Sequence, residues 1–589
     1  MKNILVSIIL ALFTSISIYA VKADPAPLTF VQPDGTIITV YHHGDEDLSW
    51  YTDVEGNVLS FDGKKFTSTG LSQTEFLKRN SNRQALSRAR RISMGTTTPN
   101  YFPHTGTPKA LVILVQFPNR NFVVGNQDSV SLTTGTITLS TKEVFNEYLN
   151  KASGQPTNNG FLENYNYGSV ARYFSDMSDS SFVPQFDVVG PVTVSHNDTY
   201  YGANSGNTTD TYYTNMIQEA CELVDDFVNF ADYDSDNDSY VDLVYIIYAG
   251  YSESITGNSE NCLWPKSGTG SFGTYDGKIV CRYGINNELN GTPSSFSDEK
   301  YNVKRRMNGI GLFCHEFSHT MGLPDLYPTT STAYVDNQEP EYWDVMDAGE
   351  YSYNGYCPTP YSPWEKEVFE WEAYNTIDTT AAETFTIQKN SAVKAVGANA
   401  NRQILYLQNV PTSGWYQGLY RTISYSPGML VWRINYASDK VKLSDHPNNT
   451  ANDPQVAIVP ADSVVINGYN ASTTAEKNAY ISSHAGDLFP GTTGLSELTT
   501  AMNLPNYNWG NGTALNATFK YITVDSLGVI HVNDEEVYTG IDSITTNDQQ
   551  TIGNDDKVYT IDGHYLGRYG STSLAPGLYI VGHKKIVIR

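Results

Sequence analysis

His315, Glu316 and His319 form a His-Glu-x-x-His pentapeptide, followed at fixed spacing by Gly322 and Asp325. On an α-helix, positions four apart share one face, so the two imidazoles can hold a single cation. Glu316 lies beside the first ligand and can reach a solvent molecule polarised by that cation rather than the cation itself. Gly322 accepts the positive backbone angle that ends a helix sharply. The returning chain can then deliver Asp325 as a third ligand. Three protein ligands with an open fourth position are the mark of a catalytic Zn²⁺ rather than a structural one. The predicted chemistry is metal-assisted hydrolysis, with Glu316 as general base and then as proton donor to the leaving group.

These side chains need a rigid helix under a cleft. The stretch 308–314 is apolar enough to bury such a helix, predicted over 308–321. Strand patterns at 110–117 and 241–249 alternate with helical ones at 213–230 and 364–372. A twisted sheet packed on the metal-bearing helix follows.

His-Glu-x-x-His-x-x-Gly-x-x-Asp followed by Leu326-Tyr327 resembles the signature of the immune inhibitor A-type metalloproteases, a metzincin-like zincin family. The stretches 109–117, 168–177 and 428–436 resemble strands and a helix of the same family. The resemblance implies an α+β zincin-like catalytic domain with a metal-bearing active-site helix, followed by β-sandwich-like domains. It implies a secreted zinc endopeptidase acting on protein or peptide substrates. It also implies a methionine turn beneath the metal, for which Met346 in Trp343-Asp344-Val345-Met346 is the candidate. Some metzincins place an oxyanion-stabilising tyrosine two residues after that methionine. Here the position is Ala348, so Tyr351, Tyr353 or another group must serve.

At 589 residues the chain is too long for one core. The expected organisation is a signal peptide at 1–23, with its cut after Ala20 or Ala23, and a β-rich pro-region with a cleavable arginine-bearing linker at 24–91. The catalytic domain follows at 92–385, a β-sandwich-like domain at 386–536, and a linker with a β module at 537–589. That last module resembles Bacteroidetes-type C-terminal sorting modules, which implies a dedicated secretion machinery as partner. No cysteine precedes Cys221, which excludes a cysteine-based latency switch in the pro-region; Asp45, Glu46 or Asp47 could occupy the metal instead. The net charge of −26 without a basic patch excludes nucleic acid and anionic membranes as partners. No stretch after the leader is long enough to span a membrane. Of five cysteines, Cys262 and Cys281 could pair, and Cys314 reads as a free buried thiol.

A second metal site is predicted at 232–242. Asp234, Asp236, Asp238, the Tyr240 carbonyl and Asp242 fall at alternating positions suited to Ca²⁺. Ser239 replaces the usual turn glycine, and Tyr245 stands where a bidentate glutamate would. The expectation is therefore a short structural calcium loop entering a strand, not an EF-hand. Two rival functions remain: a zinc hydrolase of non-protein substrates, or a catalytically silent adhesin on a peptidase-like scaffold. An intact Glu316 argues against the adhesin, because a binder needs no general base.

Overall fold

The computed structural model describes residues 17–19, 21–45, 48–80 and 100–123, most of 130–379 and 383–537, and most of 557–588. Residues 1–16 and 20 of the expected leader at 1–23, the arginine connector from 81 on, residues 92–99, Glu46, Asp47 and the linker at 538–556 lie outside those residues.

A six-stranded sheet organises the catalytic region, in the order Ser17–Tyr19, Lys266–Thr269, Arg282–Asn287, Val244–Tyr248, Lys109–Gln116, Gln185–Thr193. The last four run parallel, and Lys266–Thr269 is antiparallel to them. Residues Ala110 to Val115 are fully buried, as parallel strands covered on both faces must be. One face (Val112, Leu114, Tyr245, Ile247) packs on Ile310, Phe313, Cys314 and Phe317 of the metal-bearing helix. The other (Leu111, Ile113, Ile246) packs on Met216, Ile217 and Ala220. The fully buried ion pair Lys266–Asp210 (2.7 Å) pins the antiparallel strand that borders the cleft.

The metal-bearing helix spans Ile310–Thr320, and every residue in it is buried. A helix apolar on all sides belongs inside a protein, and this one is walled on each side. Gly311 permits close approach: a Cβ there would lie 2.0 Å from the Glu350 carbonyl oxygen. The helix expected at 213–230 stops at Val224, where Asp225 and Asp226 would oppose its negative C-terminal dipole. A short 3-10 turn, Phe230–Tyr233, follows. The helix expected at 364–372 is Pro363–Val368, started by a Ser362/Glu365 capping box and proline at its first turn.

The β-rich region past 385 departs from the expected separate sandwich. Two sheets do face each other, Ala392–Val396, Gln403–Val410, Gly428–Asn435 and Val456–Ile458 against Phe385–Ile387, Ile530–Val532 and Thr523–Val524. Leu405, Leu407, Met429 and Val431 fill the space between them with Ile530 and Val532. The outer face of the larger sheet is not solvated, however. Ile404, Tyr406, Leu430, Trp432 and Ile434 join the same core as Trp364 and Phe317. Burying Leu430 and Ile434 alone is worth about 1.5–3 kcal/mol each, so this region is fused to the catalytic one.

Residues 28–72 form a five-stranded antiparallel meander around Phe30, Val40, Leu59 and Phe66. It docks through Leu48, Trp50 and Val58 onto Tyr334 and Tyr469, whose rings stack at 3.9 Å. The C-terminal residues build a four-stranded antiparallel sheet from Lys557–Thr560, Tyr565–Arg568, Gly577–Val581 and Lys584–Ile588. The pairing considered for Cys262 and Cys281 is not formed, and all five cysteines are free thiols.

Candidate metal centre

The helix supplies His315 and His319, and Gly322, at φ +106°, turns the chain out of it. The Gly322 N–H donates to the His319 carbonyl and the Leu323 N–H to that of Ser318, closing the last turn. Asp325 then returns to the two rings. His315 Nε2 and His319 Nε2 lie 3.1 Å apart, and Asp325 Oδ1 lies 3.3 and 3.2 Å from them. Ligands arranged tetrahedrally around Zn²⁺ at ordinary bond lengths stand about 3.3–3.4 Å from one another.

The outer contacts fix which nitrogen faces inward. His315 Nδ1 meets the Val345 carbonyl at 2.9 Å and His319 Nδ1 the Leu323 carbonyl at 2.8 Å. Carbonyls only accept, so each Nδ1 carries a proton, and it is the Nε2 atoms that face inward, where a cation would displace any proton they hold. Two Nε2 atoms and a carboxylate oxygen thus converge in a buried space, a donor set that suits one cation. The residues present fit zinc. Met346 is fully buried one position after Val345, and its carbonyl accepts from the Leu326 N–H at 2.9 Å. The 343–347 turn therefore braces both the first ligand and the segment carrying the last.

Charge at the site follows from burial and proximity. Burial disfavours a charged His319, but the Asp325 carboxylate outweighs it and pushes the ring up to about 9. Burial alone would raise Asp325; the two imidazoles hold it well below the usual carboxylate range. Glu316 is pushed up to about 8 by burial. Its Oε1 accepts from the Val21 N–H at 3.0 Å, and Oε2 has no protein partner. Burial thus favours the protonated, neutral carboxyl, and a cation held by the neighbouring ligands would draw it back toward the carboxylate that a general base needs.

The cleft beside the metal residues holds a segment that sequence reading assigned to the leader. Ser17–Tyr19 pairs antiparallel with Lys266–Thr269, extending the sheet by one strand. Val21 and Ala23 are buried against Trp264 and Leu312. Trp264 Nε1 donates to the Val21 carbonyl (2.9 Å), and the Tyr351 hydroxyl donates to the Lys22 carbonyl (2.6 Å). Tyr351 thus faces the cleft, whereas Tyr353 packs against Arg421 away from it. Asp45, considered as a latency group, instead closes its own turn with the Leu48 N–H.

At the acidic loop, Asp234, Asp236 and Asp242 come together with oxygens within 4.8 Å of one another. Asp238 does not join them; its Oδ1 caps the Tyr240 N–H at 2.8 Å. Asn237 (φ +60°) and Ser239 (φ +78°) adopt the left-handed turn that glycine would have made easier. Lys278 Nζ already sits 2.5 Å from Asp234 Oδ2. Burial lifts Asp242 to about 6, with Asp236 and Asp234 adding to the effect.

A helix-borne imidazole pair and a carboxylate beside a mixed sheet place the region among metal-dependent hydrolytic folds. Residues 100–375 match the family described as Immune inhibitor A peptidase M6, catalytic domain. The chain is 26% identical over 226 residues to the Pre-pro-metalloprotease PrtV of Vibrio cholerae serotype O1 (strain M66-2), covering 35% of this chain and 24% of that one. It is 24% identical over 225 residues to Immune inhibitor A of Bacillus thuringiensis subsp. alesti, covering 34% and 31%. The chain thus spans about a quarter to a third of the curated relatives it matches. Family match and relatives together support a metallopeptidase. Among the described residues, no helix is long and apolar enough to cross a membrane.

Sequence reading missed the carboxylates that line the cleft near Lys22, namely Glu339, Glu341 and Asp347. The signal was present: Glu339, Glu341, Asp344 and Asp347 are four acidic residues in nine, among aromatic and apolar side chains.

Proposed function

We propose that the chain is a secreted zinc-dependent endopeptidase. The observation that carries this reading is the convergence of two Nε2 atoms and one carboxylate oxygen beside the buried Glu316. His315, His319 and Asp325 hold the metal, and Glu316 takes a proton from the attacking water and returns it to the leaving amine. Zinc, when bound, polarises the scissile carbonyl and lowers the pKa of its water. Val21 N–H on Glu316 stands where the amine nitrogen of a cleaved bond would receive that proton. The Lys266–Thr269 edge supplies main-chain pairing for an extended peptide, as Ser17–Tyr19 illustrates. An extended peptide in an edge-strand groove favours a protein substrate over the non-protein alternative.

The same occupancy supports latency: with the leader cut after Ala20, Val21 and the residues after it would still cover Glu316 until a further cleavage released them. Asp234, Asp236 and Asp242 are proposed to bind a structural Ca²⁺, with Asp238 and the Tyr240 carbonyl joining only on rearrangement. The C-terminal sheet is proposed to be a sorting module read by a secretion system after signal-peptide export. The test is hydrolysis of casein by the secreted protein after a cleavage that releases its cleft segment. Activity should vanish with a zinc chelator, return with Zn²⁺, and be absent in Glu316→Gln. Full casein hydrolysis by Glu316→Gln would refute the assignment.

A further inference from the structure

Beside the metal residues, on the side of the 343–347 turn, lies a cavity walled by Lys22, Tyr327, Glu339, Glu341, Asp347 and Tyr480. His42, His43 and Lys477 also line it, and the carboxylates gather around Lys22. Lys22 Nζ reaches Asp347 Oδ1 at 2.5 Å and lies 5.6 Å over the Tyr327 ring. Glu339 is 2% exposed, and its Oε2 has no hydrogen-bond partner. Glu341 is buried at φ +50°, a left-handed backbone that a non-glycine residue adopts only when held there. What holds it is Asp347, whose Oδ2 accepts the Glu341 N–H at 2.8 Å. Glu341 Oε2 is itself ordered by Gln338 Nε2 and His484 Nε2, each at 2.7 Å.

The backbone of Lys22 is held as a substrate's would be. Its carbonyl accepts from Tyr351, and the preceding residue, Val21, gives its N–H to Glu316. Glu316 must deliver a proton to the amine nitrogen released by cleavage. Val21 therefore marks the first residue on the amine side of the bond to be cut, and Lys22 the second. We propose that this cavity is a specificity subsite selecting a lysine or arginine side chain at the second residue on the amine side, with Asp347 as its main determinant. Lys22 occupies it as an internal surrogate. Burial, and then the neighbouring carboxylates, hold Glu341 and Glu339 well above the usual carboxylate range. An incoming cation draws them back toward their ionised forms, which favours a charged guest over an apolar one. A planar guanidinium or an ammonium over Tyr327 adds a cation–π contact.

The inference rests on the endopeptidase reading, and the experiment separates the two. The zinc-loaded secreted protein, activated by a cleavage that releases the segment carrying Lys22, is given two fluorogenic peptides that differ only at that position, lysine in one and norleucine in the other. The expected kcat/KM ratio is about ten-fold or more in favour of lysine, as a buried charge-assisted contact provides. Asp347→Asn, with its zinc content measured to show an intact site, should bring the ratio close to unity. A mixed peptide library digested by the unmodified protein gives an independent reading, with lysine and arginine enriched at the second amine-side residue. Equal rates for both peptides, or enrichment confined to other positions, would overturn the subsite while leaving hydrolysis standing. Failure to cut either peptide or casein would overturn both.

Discussion

The two clusters of metal-type side chains are built on opposite logic. At 315–325 the backbone holds the rings from behind: carbonyls of Val345 and Leu323 take the Nδ1 protons, and two Nε2 atoms and a carboxylate oxygen are left facing one another. At 234–242 the protein's own donors already serve the carboxylates. Asp234 takes N–H groups of Asp238 and Ser239 as well as Lys278 Nζ, and Asp242 takes the Ser235 N–H. The first site is organised around a cation; the second has an internal substitute for one. Density of acidic residues alone is therefore a poor guide to metal demand, and what the second contacts leave unmet is a better one.

The largest effect that would sharpen this contrast is at Glu316. Glu316→Gln should retain zinc yet lose peptide hydrolysis by about 10²–10⁴-fold, the usual contribution of a positioned general base. No residue of the acidic loop should come near that loss. If Asp236→Asn abolished hydrolysis at saturating zinc as completely as Glu316→Gln, the division of labour would be broken.

An intermediate effect concerns the docked N-terminal meander. His42 stacks on Tyr51 at 4.4 Å and packs against Trp264, and neither ring nitrogen has a partner. Burial lowers its pKa to about 3. The unfolded ring protonates near its ordinary value, so the stabilisation is full above that value and is lost as the pH falls toward the folded one. Acidification from pH 7 to pH 5 should cost on the order of 2 kcal/mol from this residue. Denaturant unfolding across that range checks it, and His42→Phe should flatten the slope. An unchanged slope in the variant would assign the acid sensitivity elsewhere.

The smallest effect falls on the acidic loop. Lys278→Met removes the internal cation, so the variant should be less stable without calcium and gain more from it than the parent. A calcium-dependent rise in Tm larger by about 2–4 °C corresponds to one extra kcal/mol in a region of this size. Equal calcium responses would show that Lys278 does not compete for Asp234.

Legibility in the sequence tracked how local each feature is. The spacing of His315, Glu316, His319, Gly322 and Asp325 is set by one helix and one turn, so their meeting was readable. The burial of Lys109–Gln116 was readable as an unbroken apolar run. Gly428–Asn435 carries a similar run, yet its meaning, a sheet buried on both faces and fused to the catalytic core, depends on partners over a hundred residues away. The part that the cleft segment plays was hidden for a related reason. An apolar stretch before Lys22 suits export and also suits an edge strand, and only the pairing with Lys266–Thr269 distinguishes them. Glu339, Glu341 and Asp347 gain their role from Lys22, more than 300 residues earlier, which no spacing rule connects.

The most direct measurement is the transition-metal content of the purified, folded protein beside that of His315→Ala. The account predicts one zinc per chain in the former and its loss in the latter, with circular dichroism unchanged. Absence of stoichiometric metal in the parent, or equal metal in both, would contradict it.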